Sequence, residues 1–367
     1  MSNPLQHLND LKLLPGIPSW LIVNTQYVTV MGSHAYGLAN NNSDFDVYGF
    51  TIPPKNFIFP HLTGKLTGFG KSAPSFDQYV KHHIMDVDAL GGKGREWDIT
   101  IFGIVKFFEL CRQNNPNMLE TLFTNEEHVL HCTQIGRLVR DNRHLFISKE
   151  AWKRFRGYAF SQLHKCDTKG LGLVTEVREF EEAHRIPHTT NLQYIKRYTK
   201  IEKTQDEDGM EARTAFMGLS RRELNKYESL LRLGEEKSKR FNMRKAHGVD
   251  TKNLYNVLRL LDEAEQILLE GTIDLQRSRE VLKSVRRGEW TYQQVYDWVQ
   301  EKDKALEVVY AKCDLPTRPP EEPLRELLKG CLEIHFGDLS EEIPNTDWAA
   351  DALRKIDEIL NRNRKKF

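Results

Sequence analysis

The hydrophobic period of this chain changes once, near residue 117, and that change limits the folds open to it. Before it, apolar residues tend to recur at every second position. YVTVM at 27–31, DFDVYGFTI at 44–52, YVKHHIMDV at 79–87 and REWDITIF at 95–102 therefore read as strands. IVKFFELCR then reads as a helix that stops before Asn114-Asn115-Pro116. After the change the period approaches 3.6 and almost everything reads as helix. The clearest case is DTKNLYNVLRLLDEAEQILLEG at 250–271: Asp250 or Thr251 caps its start, Leu254, Val257, Leu258, Leu261 and Leu268 make an apolar face, and Gly271 ends it. An α/β N-terminal part followed by a mainly helical C-terminal region is the expectation.

A length of 367 residues exceeds what one core usually organises. The expected divisions are residues 1–130, 131–314 and 315–367. The middle part carries an insertion near 165–220 whose charged centre, TQDEDGMEAR, reads as an exposed loop; the last part is a proline-stiffened linker, LPTRPPEEP, and a helical tail. The hydrophobic share of 39% fits a folded enzyme, and a formal net charge of +1 means that any polyanion site must come from local clusters of Lys and Arg. Cys111, Cys132, Cys166, Cys313 and Cys331 form no CxxC pair, which argues against a disulfide framework. MSNPLQHLND lacks the basic and apolar pattern of a signal peptide, and no later stretch holds the roughly 20 apolar residues that span a bilayer. A reducing, cytoplasmic setting without membrane attachment is expected.

The chemistry concentrates in GSHAYGLANNNSDFDVYGF at 32–50. Along a strand, residues i and i+2 point the same way, so Asp44 and Asp46 lie side by side while Phe45 and Val47 enter the core. Two carboxylates that close repel unless a cation lies between them, and Mg²⁺ prefers hard oxygen ligands together with substrate phosphates. Asp98, in WDITIF, has the setting of a third carboxylate on a neighbouring strand; Glu96, two residues earlier on the same face, is its closest competitor. Gly32 lets backbone approach a phosphate, and Ser33 offers a backbone N–H and a hydroxyl.

A Gly-Ser step, ten residues and then DFD resembles the signature of the DNA polymerase beta-like nucleotidyltransferase superfamily. The longer pattern, with DITIFGIVKFFELCRQNNPNMLETLF, resembles its branch of bacterial and phage nucleotidyltransferases associated with RNA repair. The likeness runs over residues 27–125 and continues in the DTKNLYNVLRLL helix. It implies a small mixed sheet flanked by helices, and transfer of a nucleoside monophosphate from an NTP to an acceptor hydroxyl, with an RNA 3′ end, tRNA included, as acceptor. It also implies Mg²⁺, with Mn²⁺ as the alternative ion. Asp44, Asp46 and Asp98 would be the catalytic metal ligands, and Gly32 with Ser33 the triphosphate turn. Tyr48 stands where the branch commonly has an arginine. Lys252, Tyr255 and Arg259 form a polar stripe at helical spacing, and the resemblance implies that Lys252 and Arg259 reach the triphosphate or acceptor.

Other features read more simply. Asp86 and Asp88 in IMDVDAL repeat the period-two pattern without a Gly-Ser turn and are taken as solvated strand residues. GKLTGFGKS at 64–72 misses the Walker spacing, since Lys65 stands where the first glycine belongs; it reads as an active-site loop in which Lys71 can meet a phosphate. HVLHC at 128–132 lacks further zinc ligands and reads as structural. FRGYAF at 155–160 reads as helix packing. The basic runs KSKRFNMRK and RNRKKF read as solvated faces, with RNA contact as the alternative. A non-catalytic nucleotide- or RNA-binding protein, and transfer to a protein or small molecule, stay open beside nucleotidyl transfer to RNA.

Overall fold

The computed structural model describes residues 3–40, 43–59, 75–168, 171–188, 192–198, 200–205, 211–214, 218–235 and 248–337. The loop containing GKLTGFGKS, the basic run KSKRFNMRK and the terminal RNRKKF lie outside them. The chain forms two compact units. The first comprises Met1–Ala35, Ala39–Ile147 and Arg318–Phe367, and the second Tyr36–Leu38 and Ser148–Thr317. The first unit thus extends past residue 130, and takes back a helix that the sequence reads as part of a tail.

The first unit is built on a five-stranded mixed sheet of β1 (Thr25–Val30), β2 (Phe45–Thr51), β3 (Gln78–Asp86), β4 (Arg95–Gly103) and β5 (Val129–Cys132), in the order β3-β4-β2-β1-β5. β2 and β4 run parallel; the other pairs are antiparallel. Alternation decides the faces. Val28, Val47, Ile99 and Ile101, all fully buried, point towards Leu5, Leu8 and Leu21 of the N-terminal helical segment. Burial of each such side chain contributes about 1.5–3 kcal/mol. Phe45 is partly buried against this core, as period two requires.

On the opposite face, Phe50 meets Phe107 of the helix Ile104–Arg112 with ring centroids 4.9 Å apart. Leu324, Leu327, Cys331 and Leu332 make the buried stripe of the helix Glu321–Phe336, which packs on the helices Gln134–Asp141 and Ile104–Arg112. The HVLHC stretch is strand β5 with its approach; the His131 ring donates to Thr25 O at 3.2 Å, a structural placement.

The second unit is mainly helical. Its central helix, Thr251–Glu270, starts at Asp250, whose carboxylate accepts from Asn253 N, and ends at Gly271 in a left-handed conformation (φ 65°). The five apolar residues picked out by periodicity are buried, but so are Leu260, Ala264 and Ile267. The helices Glu150–Thr168, Arg279–Arg286 and Tyr292–Lys312 cover it from several sides, so one apolar face understates its burial. In FRGYAF, Phe155 and Ala159 are fully buried, which fits helix packing. The charged stretch near residue 205 is flanked by paired strands, Lys200–Gln205 and Glu211–Thr214, in place of one continuous loop. No helix among the described residues is long and apolar enough to cross a membrane. All five cysteines are free thiols, and Cys132 is the one not buried.

Candidate active site

Topology brings the chemistry-bearing residues to one end of the sheet. β1 ends at Val30, paired with Val47 near the start of β2, so the Gly32-Ser33 turn that follows β1 falls beside Asp46. Met31 N donates to Asp46 O at 2.6 Å and ties the turn to the strand. In the parallel pairing of β2 with β4, Asp46 is the register partner of Asp98. Register partners in a sheet project to the same face, so these two carboxylates face the same way from adjacent strands. Asp44, two residues before Asp46, and Glu96, two before Asp98, continue that face. Asp44, Asp46 and Asp98 are all half-buried, with water on one side and protein on the other.

Gly32 fits this place for two reasons. Its φ of 62° lies in the left-handed region, and a Cβ built there would stand 2.0 Å from Asp46 Oδ2 and 2.9 Å from its Cγ. The carboxylate of Asp46 thus occupies space that only a missing side chain leaves open. Ser33 follows in a single turn of helix, Gly32–Ala35. His34 packs on Phe45, ring centroids 4.4 Å apart, with Nε2 buried and without a hydrogen-bond partner. Burial pushes its pKa below the usual histidine value, against the raising effect of a bond with the Ser43 backbone.

Tyr48 lies on the same face, paired with Thr100. Burial first, then the charges of Asp46, Glu120 and Asp98, raise its hydroxyl above the ordinary tyrosine value, so it remains a neutral phenol at neutral pH.

Strand β3 adds a further group to this end of the sheet. Its pairing with β4 jumps from Lys81↔Ile99 to Ile84↔Trp97, so His82 and His83 together stand opposite Asp98. This is a β-bulge, and His83 takes a φ of 56° within it. His83 N donates to Asp98 Oδ1 at 2.8 Å, the His83 ring Nδ1 lies 2.5 Å from Glu96 Oε1, and His82 Nδ1 is 3.6 Å from Asp98 Oδ1. The hydrogen bond to Glu96, then the charges of Asp98 and Glu96, hold the His83 imidazole above its usual pKa. Among the described residues, one set of three or more ligand atoms lies mutually within 4.8 Å: His83, Glu96 and Asp98. Asp44 and Asp46 are outside that set. The only sequence signal was the HisHis pair in the middle of an alternating strand.

Asp86 corrects the solvated-strand reading. It is buried, 3.3 Å from His7 Nε2, and accepts from Ala89 N at 3.2 Å, whereas Asp88 is exposed. Asp86 therefore closes a turn.

Lys252 and Arg259 belong to the second unit. Lys252 is exposed on the first turn of its helix. Arg259 is buried; its Nη1 donates to both oxygens of Glu263 at 3.1 Å, and its guanidinium lies 4.3 Å from the Tyr36 ring centroid. Tyr255 is buried too, so the stripe is not a solvated face.

The half-buried carboxylates on one face, beside a turn whose missing Cβ admits one of them, are oxygen donors of the kind a hard divalent ion takes. Searches among curated proteins and among solved structures return no match to this chain. A family model does match, over residues 17–178, a span that holds the Gly-Ser turn and all three aspartates; over that span the chain is similar to the RNA repair pathway DNA polymerase beta family, RlaP.

Proposed function

We propose that this protein is a divalent-metal-dependent nucleotidyltransferase that moves a nucleoside monophosphate from an NTP to an acceptor hydroxyl, releasing pyrophosphate, with an RNA 3′ end as acceptor. The observation that carries this reading is the register pairing of Asp46 with Asp98 across parallel strands, with Asp44 on the same face and the glycine turn against Asp46. The likeness of residues 17–178 to a polymerase beta-like family of RNA repair supports the reaction class.

Asp44, Asp46 and Asp98 would hold Mg²⁺, which when bound neutralises phosphate charge and lowers the pKa of a coordinated hydroxyl. The backbone at Gly32 and the hydroxyl of Ser33 receive phosphate oxygens beside the acids. Asp98 accepts the proton of the acceptor hydroxyl. Lys252 and Arg259 are assigned to the triphosphate or acceptor by family likeness; the pairing of Arg259 with Glu263 favours a supporting part for it.

Incubation of the full chain with each labelled NTP, Mg²⁺ and total RNA, beside Asp44→Asn and Asp46→Asn, tests the proposal. Label joined to RNA by the wild type and lost by roughly 10²-fold or more in both variants is the expected result. Transfer that survives both substitutions would refute the site. Label on protein or a small molecule would refute only the acceptor.

A further inference from the structure

The bulge in β3 places a nitrogen donor where the sequence promised only oxygens. From this we infer that His83, Glu96 and Asp98 form a binding position for a divalent ion that accepts nitrogen, Mn²⁺ in preference to Mg²⁺. The inference rests on the preceding reading for the role of Asp98; Glu96 is the acid that alternation places beside it, and His83 comes from the structure alone.

The argument is geometric. Donors around one small ion, each about 2.0–2.2 Å from it, are separated by about 3–4 Å. The three donor atoms lie within 4.8 Å of one another, so small side-chain rotations gather them. The closest pair, His83 Nδ1 and Glu96 Oε1 at 2.5 Å, must open slightly to admit the ion. Both carboxylates keep limited exposure, 20% for Glu96 and 24% for Asp98, whereas the His83 side chain is 82% exposed, so an ion has a path from solvent.

A regular β3 would not set two residues against Asp98. The extra residue in the bulge, and a non-glycine φ of 56° at His83, turn the imidazole onto Glu96 while the His83 backbone N–H holds Asp98. Bulges next to active sites commonly re-aim a side chain in this way. An imidazole nitrogen beside two carboxylates suits Mn²⁺, Co²⁺ or Zn²⁺, while Mg²⁺ prefers oxygens alone. The competing account is a hydrogen-bonded pair of His83 and Glu96 that only steadies Asp98.

Electron paramagnetic resonance of Mn²⁺ separates the two. The full chain, stripped with chelator and given one equivalent of Mn²⁺ without nucleotide or RNA, should show nitrogen modulation of the Mn²⁺ spin echo. His83→Asn should lose the modulation and bind Mn²⁺ roughly tenfold or more weakly, with Mg²⁺ affinity little changed. Asparagine tolerates the left-handed conformation and the position is exposed, so the fold is not at stake. Glu96→Gln should weaken Mn²⁺ binding without removing the modulation. Absence of Mn²⁺ binding, absence of nitrogen modulation in the wild type, or its survival in His83→Asn would overturn the inference. Nitrogen-coupled Mn²⁺ in a chain that transfers no nucleotide would support it while refuting the enzymatic reading; transfer with no nitrogen coupling would do the reverse.

Discussion

Replacing Gly32 by alanine isolates what the glycine turn does for Asp46, because Gly16 offers a matched control. Both glycines adopt left-handed backbone, φ 62° and 77°, in the first unit. A Cβ at Gly16 meets nothing within 4 Å, whereas at Gly32 it would stand 2.0 Å from Asp46 Oδ2. The backbone cost is shared: about 1–2 kcal/mol for a left-handed L-residue, offset by about 0.4–1 kcal/mol from the stiffer unfolded chain. A net loss near 1 kcal/mol lowers Tm by about 2–4 °C in each variant. The difference lies in the carboxylate. Carbon and oxygen need well over 3 Å between centres, so the Asp46 carboxylate must shift by more than about 1 Å, a displacement that costs about 10²-fold when it misplaces a reacting group. Initial rates of labelled-NTP incorporation, with thermal unfolding of the same samples, provide the assay. Gly16→Ala should keep the wild-type rate, and Gly32→Ala should fall to roughly a hundredth at a similar Tm. Equal rates in the two variants would refute the idea that the turn is shaped around Asp46.

Arg259→Ala, by removing one side of a buried ion pair, should destabilise the protein by about 3–5 kcal/mol, measured by chemical denaturation; a raised KM for NTP at unchanged stability would instead favour direct nucleotide contact. Asp86→Ala should lower stability by about 1–3 kcal/mol through loss of its bonds to Ala89 N and His7. It should leave metal affinity unchanged, in contrast to Asp46→Asn. Glu126 is held below the usual carboxylate pKa, first by its hydrogen bond from Arg137 and then by the charge of Arg140. Its contribution to stability is therefore present above the unfolded value of about 4.3 and lost as pH falls through the lower folded value. The Tm gap between wild type and Glu126→Gln should accordingly be open at pH 7 and close in acid; a gap constant across that range would contradict the assignment.

Much of the site could be read from local pattern. Period two put Phe45 towards the core and left Asp44 and Asp46 on the opposite face, and the spacing from the Gly-Ser step tied them to one family pattern. These features depend on alternation and on turn chemistry, which neighbouring residues carry among themselves. Pairing is different. The partnership of Asp46 with Asp98 needs two strands about fifty residues apart in sequence to lie parallel in one register, and the chain between them does not state that register.

The return of the helix Glu321–Phe336 to the first unit, the burial of Asp86 and of Arg259, and the bulge that carries His83 to Glu96 were likewise decided in three dimensions. An apolar stripe records that a helix will be covered but not by what, and a charged residue does not name the partner that makes its burial tolerable. Sequence alone thus set the strand alternation, the helical second half and the acidic motif. Tertiary structure chose the partners, because contacts distant in sequence depend on how the whole chain closes.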